Sequence, residues 1–263
     1  MRQLLLPRAP DSEGRLRLKD GDYHYLASVL RYKTGDRLTV TMPSGKAASA
    51  VIVSVSREEI ELSVESAAQN ETEEELPRII LIQAVPKGAK LDLIVRQAVE
   101  CGVSEILPLL SSRVVRKGGN AAVQTERLRR IVREARQQSG SPVPTIVHEP
   151  FREKAVFEYW QSLEGGSLGL LLLPPLEEAQ FTALAHSSLH GYLRTDYKHI
   201  VIAVGPEGGY SPNEAAGFIA AGFKPLSLAK TVLRCETAAL FALAAVRIVL
   251  LEKNSWIYQT VNE

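Results

Sequence analysis

Ile200-Val201-Ile202-Ala203-Val204-Gly205-Pro206-Glu207-Gly208-Gly209-Tyr210-Ser211-Pro212-Asn213-Glu214 is an apolar run that stops abruptly at a glycine-rich turn. Further on, Leu226-Ser227-Leu228-Ala229-Lys230-Thr231-Val232-Leu233-Arg234-Cys235-Glu236-Thr237-Ala238 leads through a second loop into a long apolar helix. This order places main-chain amides and carbonyls at the carboxyl end of a buried strand, where open α/β sheets bind small cofactors. The glycines let a ligand approach the backbone closely, and Pro206 stiffens the turn. A plain strand-to-helix turn, with Ser211 or Asn213 capping the next helix, suits the same residues equally well. The loop is neither a dinucleotide GxGxxG nor a phosphate loop ending in Gly-Lys-Ser/Thr, which argues against a nucleoside triphosphate.

Working outward, Leu168–Leu173 is another apolar run, and it is halted by Pro174-Pro175. Three strand-end segments are thus available to converge on one ligand. Arg234 stands at the amino-terminal edge of the helix beginning at Thr237, where a cation opposes the helix dipole. It therefore has either a substrate to meet or an acidic partner, with Glu236 and Glu207 as the candidates.

From Arg78 onward the chain alternates between strand and helix. Ile79–Ala84 reads as a strand, and Lys90–Cys101 as a helix with Leu91, Ile94, Val95 and Ala98 on one face. Glu105–Leu109 is a strand, Glu126–Gln138 an arginine-rich helix striped by Leu128, Ile131, Val132 and Ala135, and Thr237–Leu251 a core helix. The alternation predicts an α/β domain, with a mostly parallel sheet covered by helices on both faces. The first seventy residues are written differently. A helix over 22–32, with Leu26, Val29 and Leu30 on one face, precedes three alternating runs at 36–42, 50–55 and 60–64, the pattern of a small β-barrel or curled sheet. The acidic tract Asn70–Pro77 reads as a linker, and the division falls between residues 1–72 and 73–263.

The formal net charge of +1 means that a nucleic-acid surface would have to be a local patch. One patch lies at the start, where residues 1–46 carry nine basic residues against five acidic ones. His24 and Arg31 fall within it, suited either to RNA or to capping a helix. Another candidate is the strip Arg129, Arg133 and Arg136 on the basic helix, with Arg113, Arg116 and Lys117 in the loop before it. Taken alone, that helix reads as a solvated charged face. Cys101 and Cys235 are the only cysteines, which suits a reducing compartment, and the five histidines form no metal-ligand cluster. The apolar opening is too short for a signal peptide, and no run reaches membrane-spanning length, so a cytoplasmic location is expected.

Taken together, these segments resemble the RsmE family of 16S ribosomal RNA (uracil-N3) methyltransferases of the SPOUT superfamily. The resemblance rests on His24…Val29-Leu30-Arg31…Gly35-Asp36, on Pro86-Lys87-Gly88 with Glu100-Cys101-Gly102-Val103, and on Glu134-Ala135…Gln138-Ser139…Pro144. Its most specific parts are Gly205-Pro206-Glu207-Gly208-Gly209-Tyr210-Ser211…Glu214 and Leu233-Arg234-Cys235-Glu236-Thr237-Ala238. The chain departs from the family where Ala229 replaces a glycine, Thr231 an arginine, Cys101 a leucine and Ser112 a glutamate.

The resemblance implies a trefoil-knotted SPOUT domain behind a PUA-like barrel, and a homodimer with active sites at the subunit interface. It implies S-adenosylmethionine as cofactor, no metal, and 16S rRNA within the small ribosomal subunit as partner. Carried over residue by residue, it points to Leu172, Leu173, Pro174, Gly205, Pro206, Glu207, Gly208, Gly209, Leu226, Ser227, Leu228, Val232, Leu233 and Thr237 for the cofactor. Arg234 and Glu236 are the catalytic candidates, and His24, Arg31, Lys87, Arg113, Arg129, Arg133 and Arg136 the RNA contacts. Two rivals remain: methylation of another RNA atom on the same fold, and a non-catalytic RNA-binding or ribosome-assembly factor.

Overall fold

The computed structural model describes residues 4–65, 76–112, 121–175 and 188–259. The acidic linker tract over 70–75, and Arg113, Arg116 and Lys117, lie outside them. Two compact units are formed, one from residues 1–74 with 133–144 and the other from 75–132 with 145–263. A division at 72/73 assigns the segment Arg133–Pro144 differently.

In the first unit, β1 (Leu4–Leu5), β2 (Arg15–Lys19), β3 (Arg37–Thr41), β4 (Ala47–Val55) and β5 (Glu59–Glu65) form a sheet in the order β1-β3-β4-β5-β2. Strict alternation sends Leu16, Leu18, Val40, Ala50, Ile52, Ile60 and Leu62 into one apolar core, as a period of two requires. A register shift between Ile52 and Ser54 marks a bulge, the usual device for bending a strand.

The helix expected over 22–32 takes another form. A short α1 (Asp20–Tyr23) passes into a π-helical segment, His24–Val29, with the Leu30 N–H donating to the Tyr25 carbonyl at 2.9 Å. Wider turns carry residue i+3 away from residue i. Leu26 is consequently buried while Val29 is 53% exposed. Arg31 closes the segment in the left-handed region at φ 57°, uncommon for a residue with a Cβ.

The second unit is built on β6 (Arg78–Ala84), β7 (Glu105–Leu109), β8 (Ile146–Val147), β9 (Ser167–Leu172), β10 (His199–Val204) and β11 (Lys224–Leu226). All pairs are parallel, in the order β11-β9-β10-β6-β7-β8. Its helices are α2 (Lys90–Glu100), the part of α3 (Ala121–Ser139) before residue 133, α4 (Glu153–Gln161), α5 (Leu189–Tyr192), α6 (Pro212–Ala220) and α7 (Cys235–Gln259). Central strands are apolar on both faces; β6 is buried from Ile79 to Ala84 and β10 from Ile200 to Val204, as a sheet covered on both sides demands. One face packs on Phe218 and Phe223 with Phe157 and Trp160 around them. Gly169 is required there, because a Cβ would come within 2.8 Å of the Phe223 ring. No helix among the described residues is long and apolar enough to cross a membrane.

Candidate cofactor pocket at the strand ends

Because β9, β10 and β11 are parallel neighbours, their carboxyl ends open on the same side, and the three loops leaving them meet. They enclose a cavity of about 300 Å³. Leu172, Leu173, Pro174 and Pro175 line it from the first loop, and Gly205, Pro206, Glu207, Gly208, Gly209 and Tyr210 from the second. Leu228, Ala229, Thr231, Val232 and Leu233 come from the third, and Cys235, Ala238 and Phe241 from α7. The Leu173 N–H donates to the Leu226 carbonyl at 2.9 Å, tying the first loop to the third.

The glycine loop folds back on itself. A Cβ on Gly205 would lie 3.2 Å from Gly209 Cα and from the Tyr210 nitrogen, so any other residue would push the turn open by a few tenths of an ångström. Gly209 has φ 66°, a conformation that costs other residues energy. Ser211, not Asn213, then caps α6. Its hydroxyl accepts from the Glu214 N–H at 3.2 Å and the Glu214 carboxylate accepts from the Ser211 N–H at 2.8 Å, a complete capping box. The other oxygen of the buried Glu214 accepts the Ser112 N–H at 2.7 Å, fastening the end of the β7 loop to the glycine loop. Burial pulls the Glu214 carboxyl upward, but these hydrogen bonds outweigh it and hold the group below its ordinary range. The Tyr210 hydroxyl is buried with no hydrogen-bond partner among the described residues, and burial raises its pKa well above the usual phenol value.

Charges gather at one side of the cavity. Lys90 Nζ lies 3.1 Å from Glu207 and 3.5 Å from Glu236. The Lys87 N–H donates to both oxygens of Glu207, at 3.2 and 3.3 Å, and the Cys235 thiol donates to Glu236 at 3.2 Å. The hydrogen bond to Glu207 raises the Lys90 pKa. Burial pushes the Cys235 thiol up to about 12, helped by its bond to Glu236, so it stays protonated and unreactive at neutral pH. Arg234 is exposed. The salt bridge from Arg234 to Glu207 or Glu236, one of the two sequence readings, is not formed; among the described residues those carboxylates belong to Lys90.

The remaining sequence candidates are scattered. Leu226 is buried beneath the cavity at the end of β11, and Thr237 is exposed in the first turn of α7; neither lines the cavity, nor does Ser227. Pro175, Tyr210, Ala229, Thr231, Cys235, Ala238 and Phe241 line it and were not singled out. Cys235 and Ala238 fall within the quoted Arg-Cys-Glu-Thr-Ala motif, and Ala229 and Thr231 are two of the four family departures.

The arginines of α3 do not share one free strip. Arg129 pairs with Glu126 and, at 3.4 Å, with Glu149. Arg133 grips both oxygens of Asp22, at 2.5 and 2.8 Å. Arg136 is only 9% exposed and donates to the Pro142 carbonyl at 3.4 Å, and burial lowers its pKa. Position i+7 keeps Arg136 within about 20° of the Arg129 face, so it leaves the surface because neighbouring groups such as the Pro142 carbonyl cover it. His24, Arg31 and Lys87 are exposed, and Arg113 lies outside the described residues.

Comparison with known proteins agrees with this architecture. An RNA methyltransferase domain matches residues 72–247, and an RNA methyltransferase PUA domain matches residues 18–65. The chain is 34% identical over 239 residues to ribosomal RNA small subunit methyltransferase E of Synechocystis sp., covering 90% of this chain and 74% of that protein. It is 28% identical over 241 residues to the protein of the same name in Bacillus subtilis, covering 86% of each. A crystal structure of the Neisseria gonorrhoeae ribosomal RNA small subunit methyltransferase E bound to S-adenosyl methionine superposes with a TM-score of 0.76 at 27% identity, over 95% of this chain and 98% of that one. The fold and the pocket define an RNA methyltransferase, and within that class the chain belongs to the ribosomal RNA small subunit methyltransferase E family.

Proposed function

We propose that this protein methylates N3 of a uridine in 16S rRNA, within the small ribosomal subunit, using S-adenosylmethionine, in the cytoplasm and as a homodimer. The observation that carries the reading is the convergence of three loops, from strands distant in sequence, on one cavity beside an exposed arginine.

The residues present fit the cofactor. Apolar walls from Leu172, Leu228 and Val232 suit an adenosyl group, and the backbone of the glycine loop supplies donors and acceptors without side chains in the way. The buried Tyr210 hydroxyl offers one further unsatisfied polar group. When bound, the cofactor supplies a methyl group already activated by its sulfonium.

Uracil N3 holds its proton at neutral pH and is a poor nucleophile until that proton leaves. The resulting anion spreads its charge over O2 and O4, so a cation beside them favours the reactive form. Arg234 is assigned that role. Glu236 and Thr237 hold the start of α7, and the loops fix acceptor and donor against each other, which supplies much of the rate. Residues 1–72, with His24 and Arg31, are assigned to RNA binding, together with Lys87, Arg113, Arg129 and Arg133. Arg136, being buried, shapes the end of α3 instead. Residues 73–263 form the methyltransferase domain, and the trefoil threading of its three loops belongs to the same reading; the strand order β11-β9-β10-β6 supports it.

The homodimer is supported by α7. Phe241, Ile248 and Leu251, spaced along one face, are 47, 53 and 62% exposed, an apolar stripe that calls for a cover. Phe241 also lines the cavity, so the stripe runs up to the site. Sedimentation of an Ile248→Lys variant as a monomer is the expected result, and an unchanged sedimentation coefficient would reject this face.

The deciding experiment is calorimetry with S-adenosylmethionine followed by mass-spectrometric mapping of small-subunit RNA treated with the protein. Heat of binding and a methyl group on uridine N3 are expected. Absence of heat would make the protein an RNA-binding or assembly factor, and a methyl group on another atom would change the acceptor.

A further inference from the structure

In the first unit the π-helical segment closes at Leu30, and Arg31 follows it at φ 57°. The Tyr32 N–H just beyond turns back to the Leu26 carbonyl at 3.0 Å, a reversal at which helices ordinarily place glycine. Every other positive-φ position among the described residues is a glycine, apart from Asp20. Aspartate tolerates the left-handed region because its short side chain can hydrogen-bond locally. An arginine has no such compensation, and its Cβ crowds the following carbonyl. Strain of this kind persists where the surrounding structure or a function holds it.

The Arg31 side chain is also exposed and in no ion pair among the described residues. Other cations of the same unit do have acids: Arg17 lies 3.3 Å from Glu61, Lys19 3.5 Å from Glu59, Arg37 3.9 Å from Glu65 and Arg133 2.5 Å from Asp22. Lys33 shares the condition of Arg31, exposed and without an ion pair among the described residues. Leu30 and Tyr32 pack on the core of the unit, so the two cations alternate with them on the solvent side. The turn that carries them is fixed. Asp36 accepts the Lys33 N–H at 2.7 Å, and the Gly35 N–H donates to the Ile52 carbonyl of β4 at 2.8 Å.

We propose that Arg31 and Lys33 form a phosphate-binding turn for RNA, and that arginine is kept at a glycine position, against stability, because the guanidinium is needed there. The proposal rests on the rRNA-methylation reading above and deepens it. It names the groups contacted, the backbone phosphates, and adds Lys33 to the residues that meet them. A guanidinium takes a phosphate through two parallel N–H bonds, and an ammonium adds a point charge. Neither reads the identity of a base, so the turn sets the register of the RNA and not its sequence.

Full-length wild type, Arg31→Gly, Arg31→Gln, Arg31→Lys and Lys33→Ala are compared by filter binding to 16S rRNA over a range of salt, and by thermal unfolding. Arg31→Gly should weaken RNA binding about tenfold and lower the slope of log affinity against log salt by about one. It should nonetheless raise the unfolding midpoint by about 2 °C, because glycine meets this φ without strain. Arg31→Gln loses the charge and keeps the strain, so binding should fall equally while the midpoint stays at the wild-type value. Arg31→Lys should keep the slope and bind within about threefold of wild type. Lys33→Ala should lower the slope by about one and leave the midpoint unchanged. Calorimetry should give one S-adenosylmethionine affinity for all five proteins, since neither residue lines the cofactor cavity.

Wild-type affinity and slope in Arg31→Gln would overturn the proposal, as would a loss of affinity with no change in slope, which would mark a contact other than phosphate. A midpoint that Arg31→Gly leaves unchanged or lowers would also overturn it, since the arginine would then cost the fold nothing. Wild-type protein that retains no rRNA would instead remove the reading on which the proposal stands.

Discussion

The two ends of the parallel sheet handle charge in opposite ways. At the amino end, one carboxylate is saturated. Glu105, which opens β7, accepts from Arg78 at 2.6 Å, from His148 at 2.6 Å and from the Tyr159 hydroxyl at 2.8 Å. The His148 hydrogen bond does most to lower its pKa, and outweighs the burial that pulls the other way. At the carboxyl end, one ammonium is divided between two carboxylates, and the exposed Arg234 has no acidic partner among the described residues. The first arrangement leaves nothing for a ligand and serves to fix strand ends. The second borders the cavity into which the three loops converge. On the function proposed above, a single sheet keeps stability and binding on opposite rims.

The largest expected effect tests the functional rim. Arg234→Ala should reduce methyl transfer roughly 100- to 1,000-fold, the usual cost of one charge-stabilising donor, with S-adenosylmethionine affinity nearly unchanged. Turnover that survives the change would remove Arg234 from the mechanism. Next comes the structural rim. Glu105→Ala leaves three partly buried donors without their acceptor and should cost about 2 kcal/mol of stability in urea unfolding, while cofactor affinity stays the same. If affinity fell as far as stability, the two rims would not be separate.

A smaller effect is expected at Gly205. The added methyl of Gly205→Ala forces the turn apart by a few tenths of an ångström, and calorimetry should show cofactor binding weakened roughly tenfold, about 1.4 kcal/mol. Unchanged affinity would mean that the loop's closed shape is incidental. The smallest is a pH effect. Glu105 has a folded pKa below its ordinary value of 4.5, so its stabilisation is present above that value and is lost as pH falls through the folded pKa. The stability gap between wild type and Glu105→Ala should therefore narrow as pH falls below the ordinary value of 4.5. A gap constant over that range would show that the charge of Glu105 contributes nothing.

The elements of the second unit were legible because their patterns are local. Leu91, Ile94, Val95 and Ala98 repeat at helical spacing and are all buried in α2, and the continuous apolar runs at 79–84 and 200–204 became the central strands β6 and β10. The π-helical turn over His24–Val29 was not legible, because its spacing of apolar residues imitates an α-helix. The fate of Arg136 was equally hidden, since an arginine at i+7 reads as surface unless the neighbour that covers it is known. Short strands such as β2 and β8 and the helix α4 carry too few periodic residues to stand out.

Sequence alone determined the alternation of strand and helix, the difference in style between the first seventy residues and the rest, and the motifs that end the strands. These depend on side-chain period and on residues with special backbone freedom, which act within a few positions of themselves. Tertiary structure alone decided which charges meet. Lys87 and Glu207 are 120 positions apart in the chain and become neighbours only because β6 and β10 lie side by side. Coulomb attraction acts through space and ignores chain order, so no reading of spacing could have shown that Lys90 would hold both Glu207 and Glu236.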